Sequence, residues 1–195
     1  MVTLVDLENL FKKYLEENRF ECADALYLYA VLGKEKVSQT LWLRYGTIAP
    51  LASVFSDLEK LGVKDLWELT QDVGTRIRDA IVEIFEHMCL GELVKRVEGR
   101  VKRLSPLARG FLYLAMKFKG KTLWGELLAP LCELIFQLRA DEKLLKRSFE
   151  ELVAYHIFQH TDPDYAIPTF FDKLVPVLEK VLPDVEIKVT WPESK

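Results

Sequence analysis

Apolar residues recur at three- and four-residue steps along most of the N-terminal half of the chain. This period places them on one face of an α-helix, whereas a half-buried strand would alternate at every second residue. The helices predicted in this way cover residues 4–15, 20–32, 38–45, 50–61 and 77–88. A chain with this pattern is expected to build its core from packed helices.

Residues with special backbone preferences mark where these helices begin and end. Gly33 is expected to close the second helix, since glycine is common just after a helix. Ser38 is a candidate N-cap for a short third helix, and Pro50 suits the first turn of the fourth helix. Gly62 follows the last apolar residue of the fourth helix and is expected to end it.

Three short stretches are predicted to be β-strands. Residues 66–69 are expected to form a strand that leads into a turn over residues 70–74. Residues 157–161 are expected to form the corresponding strand in the second half of the chain. Residues 185–191 alternate between apolar and polar side chains, as an edge strand does.

Two tripeptides occur twice in the same order. Thr40-Leu41-Trp42 and Ala49-Pro50-Leu51 reappear as Thr122-Leu123-Trp124 and Ala129-Pro130-Leu131. The apolar pattern of residues 25–34 also matches that of 110–119, shortly after a helix start at Ser105-Pro106. These matches predict an internal duplication of roughly 80–85 residues. In each copy, Thr is expected to start a helix, Trp to anchor the core and Pro to open the next helix.

The stretch LASVFSDLEKLGVKDLWELTQDVGTRIRDAIVEI (51–84) resembles the second half of a winged helix-turn-helix domain. In that family the third helix ends in an apolar-Gly-apolar step, which is Leu61-Gly62-Val63 here. A strand then leads to a Leu-Thr pair, here Leu69-Thr70. A turn that contains glycine, here Gly74, precedes the next helix.

The resemblance to tandem winged-helix proteins of archaeal type implies a mostly α fold with short β-hairpins. The corresponding domains are an N-terminal helix (1–19), a first winged-helix-like domain (20–94), a basic linker (95–104) and a second winged-helix-like domain (105–195). In the second copy, His160-Thr161 replaces the Leu-Thr pair. Because many winged helices bind DNA, the resemblance implies a DNA-associated regulator of transcription.

Charge is unevenly distributed along the chain, although the net charge is only −3. Residues 1–94 hold 10 basic and 16 acidic side chains, and residues 148–195 hold 4 and 9. Between them, residues 95–121 hold nine basic side chains and one acidic side chain, Glu98. Nucleic acids bind clustered Lys and Arg, so this central segment is where a nucleic-acid contact is expected.

A second basic group lies in residues 139–152, the candidate recognition helix of the second copy. Its Lys143, Lys146 and Arg147 are three and four residues apart and therefore share a helix face. The candidate nucleic-acid-binding residues are Lys95, Arg96, Arg100, Lys102, Arg103, Arg109, Lys117, Lys119, Lys121, Lys143, Lys146 and Arg147. Double-stranded DNA is the expected ligand.

The first copy is a poorer candidate for DNA binding, because carboxylates lie on its third helix. Asp57 and Glu59 would repel phosphates, with only Lys60 nearby to oppose them. This copy is expected to contact protein instead. The alternative function for the whole chain is therefore an adaptor or assembly subunit that binds a protein partner or forms a homodimer. Its basic residues would then pair with its own acidic segments.

Familiar catalytic motifs do not occur in the sequence. The phosphate-binding patterns GxGxxG and GxxxxGK[ST] and the nucleophile pattern GxSxG are missing. His156 and His160 would share a helix face suited to a metal ion, but a strand would separate them by about 13 Å. We therefore expect a non-enzymatic protein with no metal, cofactor or small-molecule substrate.

Other features favour a cytoplasmic protein with no membrane partner. No uninterrupted apolar run reaches the roughly 18 residues of a membrane helix, and the start of the chain lacks the features of a signal peptide. Cys22, Cys89 and Cys132 are too far apart to suggest a zinc site and are expected to be reduced thiols. Asn and Gln are scarce, a bias typical of thermophile proteins.

Overall fold

The computed structural model describes residues 1–117, 142–158 and 171–181 of the 195-residue chain. Its helices in these ranges are α1 (Leu4–Glu16), α2 (Phe20–Tyr45), α3 (Ala49–Lys60), α4 (Gln71–Met88), α5 (Leu90–Val101), α6 (Pro106–Lys117), α7 (Glu142–Ala154) and α8 (Phe171–Val181). The chain divides into two compact units, Met1–Leu93 and Val94–Lys195.

The prediction of short β-hairpins, and with it the winged-helix architecture, is wrong: none of the described residues forms a strand. Residues 66–69 are irregular, and residues 70–74 supply the N-cap and first turn of α4 instead of a wing turn. Ile157 and Phe158 follow α7 without strand structure. The remaining residues expected in strands, 159–161 and 185–191, lie outside the described ranges.

Side chains take the place of a partner strand around Leu66. The Leu66 amide donates to the Tyr29 hydroxyl at 3.1 Å, and the Leu66 carbonyl accepts from the Arg78 guanidinium at 3.2 Å. The indole N–H of Trp67 donates to the Tyr29 carbonyl at 3.0 Å. Buried backbone polar groups must find partners. Here α2 and α4 supply them, so the segment does not need a strand ladder.

Helix α1 is part of the first unit. Thr3 and Asp6 form a capping box at its start, which satisfies backbone amides that have no partner within the helix. Its apolar face packs against α2 and α4. The buried residues of that face are Leu7, Leu10, Phe11 and Tyr14.

Phe85 of α4 joins three helices of the first unit. Its ring stacks on Tyr27 of α2 with a centroid separation of 4.3 Å. The rings of Phe11 from α1 and Phe20 from α2 each lie 6.2 Å from it. Aromatic rings bury much apolar area and favour such stacked and tilted contacts, so Phe85 is at the centre of this core.

The segment α2 consists of two helices that meet at Gly33, whose backbone is not helical (φ +80°, ψ 173°). Glycine tolerates this positive φ, so the predicted helix end at Gly33 is confirmed. A separate helix follows, as predicted, but it begins directly after Gly33. Ser38 lies inside that helix, where its hydroxyl donates to the Lys34 carbonyl at 3.0 Å, so the prediction of Ser38 as its N-cap is wrong.

The roles predicted for Thr-Leu-Trp are wrong in the first copy. Thr40 lies well inside α2 and is fully buried, and Trp42 is 62% exposed. Thr40 and Leu41 face the core, and successive helix residues point about 100° apart, so Trp42 turns toward solvent. The second copy, at 122–124 and 129–131, lies outside the described residues.

Helix α3 begins and ends as predicted. Pro50 lies in its first turn, and Gly62 follows its end with φ +84°. The Val63 amide donates to the Leu58 carbonyl and the Gly62 amide donates to the Glu59 carbonyl, both at 2.9 Å. These are the two hydrogen bonds of a Schellman motif, which places glycine in this position.

Gly74 allows close packing instead of making a turn. It lies near the start of α4, where a Cβ atom would come within 3.2 Å of the Leu66 carbonyl oxygen and 3.3 Å of the Leu69 Cβ. Such contacts would force neighbouring atoms to move. The missing side chain therefore lets the irregular segment lie directly on α4.

In the second unit, α6 packs against α7. The amide and hydroxyl of Ser105 donate to the Glu151 carboxylate at 2.8 and 2.6 Å, and the hydroxyl accepts from the Ala108 amide at 3.3 Å. The predicted helix start at Ser105-Pro106 is thus confirmed. Buried residues of these two helices are Ala108, Phe111, Leu112, Leu145, Phe149 and Leu152.

Candidate nucleic-acid interface

Helix α7 presents its basic side chains to solvent. Lys143, Lys146 and Arg147 are exposed together with the apolar Leu144, whereas Leu145 and Phe149 are buried. Lys143 and Arg147 are four residues apart and lie along one edge of the helix, about 6 Å apart in the axial direction. The predicted recognition helix is therefore helical from Glu142 onward and presents its basic side chains to solvent.

The turn between α5 and α6 exposes two more cations, Lys102 and Arg103. The Arg103 amide donates to the Arg100 carbonyl at 2.9 Å, which closes the turn. The Arg109 guanidinium donates to the Lys102 carbonyl at 3.4 Å. One backbone hydrogen bond and one from the Arg109 side chain therefore fix the turn, while Lys102 and Arg103 remain exposed.

Arg100 attaches this turn to the end of α7. Its guanidinium donates to the Ala154 carbonyl at 3.2 Å and lies 5.9 Å from the centre of the Tyr155 ring. Carbonyls in the last turn of a helix lack partners within the helix, and a cation is favourable at that end. The charge of Arg100 is thus used to hold the fold together.

Glu151 attaches the turn to α7 from a second position, through its hydrogen bonds to Ser105. Glu151 is one helical turn beyond Arg147 and two beyond Lys143, so the same edge of α7 leads from those cations to the turn. The axial distance from Lys143 to Glu151 is about 12 Å. We call the exposed cations along this edge and turn the basic surface: Lys102, Arg103, Lys143, Lys146 and Arg147.

The other predicted binding residues do not all lie on this surface. Lys95 is exposed earlier on α5, and Arg96 is half-buried. Arg100 and Arg109 are half-buried and donate to backbone carbonyls. The side chains of Lys117, Lys119 and Lys121 lie outside the described part of the chain.

Among the described residues, no carboxylate forms an ion pair with any of the five cations of the basic surface. The contrast with the first unit is clear, because Lys12, Arg19, Arg44 and Lys60 each pair with a carboxylate there. Within the described ranges, the five cations of the basic surface are thus exposed to solvent without a carboxylate partner.

Glu151 is a site residue that the sequence pattern did not indicate. With Glu150 it lies on an amphipathic helix, which is typical of a solvated carboxylate. Its partner Ser105 is 46 residues away, so no local spacing links the two. The helix-start signal at Ser105 was visible, but nothing in the sequence identified the acceptor.

Asp57 of α3, which was predicted to repel phosphates, has a structural role. Asp57 is buried and accepts hydrogen bonds from the Tyr14 hydroxyl at 3.2 Å and the Lys60 ammonium at 2.9 Å. Burial raises the pKa of Asp57, but the Lys60 hydrogen bond, the Lys13 charge and the Tyr14 hydrogen bond together outweigh it, so the pKa lies below its ordinary value. This carboxylate stabilises the fold.

Only one residue of the predicted metal-binding pair, His156, lies among the described residues. His156 is buried just after α7 with φ +65°, and His160 lies outside the described residues. Among the residues described, no three His, Cys, Asp or Glu side chains form a group that could hold a metal ion.

Two described cysteines are buried thiols with no disulfide. Burial raises the pKa of Cys89 to about 12. Cys22 lines a surface cavity of about 400 Å³ with Arg19, Tyr45 and Ser53. Burial raises the pKa of its thiol, although the Arg19 guanidinium, 3.2 Å from Sγ, partly opposes this. Both thiols therefore remain protonated near neutral pH, a poor state for a nucleophile.

Within the described residues, no helix has the length and apolar character needed to cross a membrane. A scan against protein-family models, a search of curated proteins and a search of solved structures each find no match. The basic surface is therefore the feature from which we infer a function.

Proposed function

We propose that the chain is a non-enzymatic, DNA-associated regulator in the cytoplasm that binds nucleic acid through its basic surface. One observation carries the proposal: five exposed cations lie on α7 and the α5–α6 turn, and no described carboxylate pairs with them. Each can displace a counterion from a phosphate, which is the main source of affinity for nucleic acid. No metal, cofactor, small-molecule substrate or membrane is part of the proposal.

The net charge of −3 does not oppose this function. Salt screens the interaction of exposed charges beyond about 10 Å at 0.1 M. The affinity for phosphate therefore depends on the cations clustered at the binding site more than on the net charge of the chain, and the basic surface groups five exposed cations.

The direct test is a fluorescence-anisotropy titration of the full chain against a labelled DNA duplex at 50 and 200 mM salt. A protein that contacts Z phosphates loses affinity with a slope of about −0.9Z in log K against log salt. Five contacts give an upper limit of about −4.5. Binding that is absent at 50 mM salt overturns the proposal.

A charge-matched pair of variants locates the site. Replacing Lys143, Lys146 and Arg147 together by Gln is expected to reduce the salt slope by about 2.7, the share of three phosphate contacts. The control replaces Lys13, Lys64 and Arg76, three exposed residues of the first unit, and changes the net charge by the same amount. Equal loss of affinity in both variants would show that binding does not depend on the basic surface.

Protein binding is the second candidate function, and one observation favours it. Trp42, in the last turn of α2, is 62% exposed, and Ile48, just before α3, is 49% exposed. Large apolar side chains in contact with water are common at the centres of protein interfaces. An adaptor that binds another protein or a second copy of itself would use this region.

The homodimer form of this candidate has a simple test. Sedimentation velocity of the purified chain is expected to show a concentration-dependent dimer, and Trp42→Ser is expected to abolish it. Glu35→Ser, on an exposed position of the same helix, is the control. A chain that stays monomeric at all concentrations rules out the homodimer.

A further inference from the structure

Resting on the proposed function, we infer that the basic surface binds the phosphate backbone of double-stranded nucleic acid and does not read base sequence. The inference concerns the class of ligand and the mode of readout. It follows from three properties of the second unit: which side chains are exposed, how far apart they lie, and where its aromatic rings are.

The exposed side chains provide charge but few groups for reading bases. Sequence-specific proteins commonly use Asn or Gln for adenine and Arg for guanine, through paired hydrogen bonds to the base edge. The basic surface contains neither Asn nor Gln. Three of its five residues are Lys, which acts at phosphates as a point charge. Only Arg103 and Arg147 could form a paired contact with guanine.

The cations lie in two groups within the second unit. Lys143 and Arg147 lie about 12 and 6 Å along α7 from Glu151, and Glu151 holds Ser105, next to the turn that carries Lys102 and Arg103. Double-stranded DNA has a phosphate row on each side of its grooves. Two groups of cations held by the fold suit such fixed rows, whereas a flexible single strand has no fixed pair of phosphate rows.

The aromatic rings do not favour single-stranded nucleic acid. Proteins that bind single strands stack the bases on exposed aromatic side chains. In the second unit, the described aromatic side chains are buried at Phe111, Phe149 and Phe158 and half-buried at Tyr113 and Tyr155. Arg100 covers part of the Tyr155 ring. The exposed part of this unit, within the described ranges, therefore offers cations without a stacking surface.

A competition experiment tests the inference on the full chain. A labelled DNA duplex is displaced by unlabelled duplexes of A·T, G·C and mixed sequence and by an oligo-dT strand, all at equal phosphate concentration and 50 mM salt. The three duplexes are expected to compete within about 3-fold of one another. Oligo-dT is expected to compete at least 10-fold less well.

The outcomes separate this inference from the proposed function. A preference above 30-fold for one duplex shows base readout and overturns the inference, and so does stronger competition by oligo-dT. The proposed function survives in both cases. If no nucleic acid binds at 50 mM salt, the proposed function fails and the inference fails with it.

Two variants test the mode of readout separately. Arg103→Lys with Arg147→Lys keeps both charges but removes the paired geometry, so backbone binding predicts affinity within 3-fold of the parent chain. Base readout predicts a loss of about 10-fold or more. Lys102→Gln with Arg103→Gln is expected to lower the duplex salt slope by about 1.8. An unchanged slope would show that the turn does not contact the duplex, and would overturn the two-row geometry.

Discussion

The two units of the chain use charged side chains in different ways. In Met1–Leu93, two buried carboxylates accept hydrogen bonds: Asp24 pairs with Arg44, and Asp57 accepts from Tyr14 and Lys60. In Val94–Lys195, the cations of the basic surface face solvent without a carboxylate partner among the described residues. Buried carboxylates of the first unit, Asp24 and Asp57, therefore hold nearby cations. The cations of the basic surface have no such partner among the described residues and stay in contact with solvent.

Removing Asp24 is expected to have the largest effect. Its carboxylate accepts two hydrogen bonds from Arg44, at 2.9 and 3.0 Å, and one from the Tyr45 hydroxyl at 2.8 Å. Asp24→Ala would leave a buried guanidinium without its partner, which costs about 3–5 kcal/mol in the free energy of unfolding. Urea denaturation measures this change.

The matching double variant sharpens that result. Asp24→Leu with Arg44→Met removes both charges and is expected to recover much of the lost stability, because an uncompensated charge no longer remains buried. A single variant that loses less than 1 kcal/mol would mean that the pair is not structurally important, and the contrast between the units would fail.

Alanine in place of glycine is expected to have opposite effects in the two units. Gly74→Ala places a Cβ against Leu66 and Leu69 of the first unit and is expected to destabilise by about 1–3 kcal/mol through overpacking. At Gly99, in α5, a Cβ meets no described neighbour within 4 Å. Gly99→Ala is therefore expected to stabilise by about 0.5–1 kcal/mol. The urea midpoints of the two variants should move in opposite directions.

Loss of the α6 cap is expected to have an intermediate effect. Ser105→Ala removes the hydroxyl that accepts from Ala108 and donates to Glu151, which costs about 1 kcal/mol for a typical N-cap. Ser105→Asp, which keeps a capping oxygen but places it against the Glu151 carboxylate, is expected to be worse than Ser105→Asn. Thermal unfolding of the three variants gives the order.

Acid is expected to weaken the first unit through Asp57. The folded-state pKa of Asp57 lies below its ordinary value of 3.8, so the ionised form stabilises the folded state. This contribution is complete above the unfolded pKa and is lost as pH falls through the folded pKa. Asp57→Asn should flatten the dependence of stability on pH below about 5. If Asp57→Asn loses stability below about pH 5 as steeply as the parent chain, Asp57 does not contribute to that loss.

Substitutions on the basic surface are expected to change stability least. Lys143→Gln, Lys146→Gln and Arg147→Gln replace exposed side chains that have no partner among the described residues, so each should change the free energy of unfolding by less than about 0.5 kcal/mol. Urea denaturation of the triple variant checks this. If the triple variant loses several kcal/mol in the free energy of unfolding, these side chains stabilise the fold. A lower affinity of that variant for DNA could not then be attributed to its lost charge.

Much of the local structure could be predicted from the sequence. The apolar period located the helices, and Pro50, Gly62 and Ser105 marked helix ends that the structure confirms. Such signals act between residues a few positions apart, because helix hydrogen bonds and caps are local. The predicted internal duplication remains a prediction, since its second Thr-Leu-Trp and Ala-Pro-Leu lie outside the described residues.

The wrong predictions concern residues whose roles depend on distant partners. Residues 66–69 have the composition of a strand, but a strand also needs a neighbour, and Tyr29 and Arg78 satisfy the Leu66 backbone instead. Gly74 was interpreted as a turn residue because its contact with Leu66 is visible only in three dimensions. Trp42 was assigned to the core from its residue type, whereas its position around α2 turns it toward solvent.

For the candidate site too, local features were predictable from the sequence and contacts between distant residues were not. The basic composition of 95–121 and the spacing of Lys143, Lys146 and Arg147 were evident from the sequence, because charge and helical period need no tertiary contact. Tertiary structure decided which cations remain available. Arg100 is used on the carbonyl of Ala154, 54 residues away, while Lys102 and Arg103 stay exposed. Only a cation that the fold leaves exposed to solvent can bind an external phosphate. Whether a side chain is buried is set by contacts between distant parts of the chain.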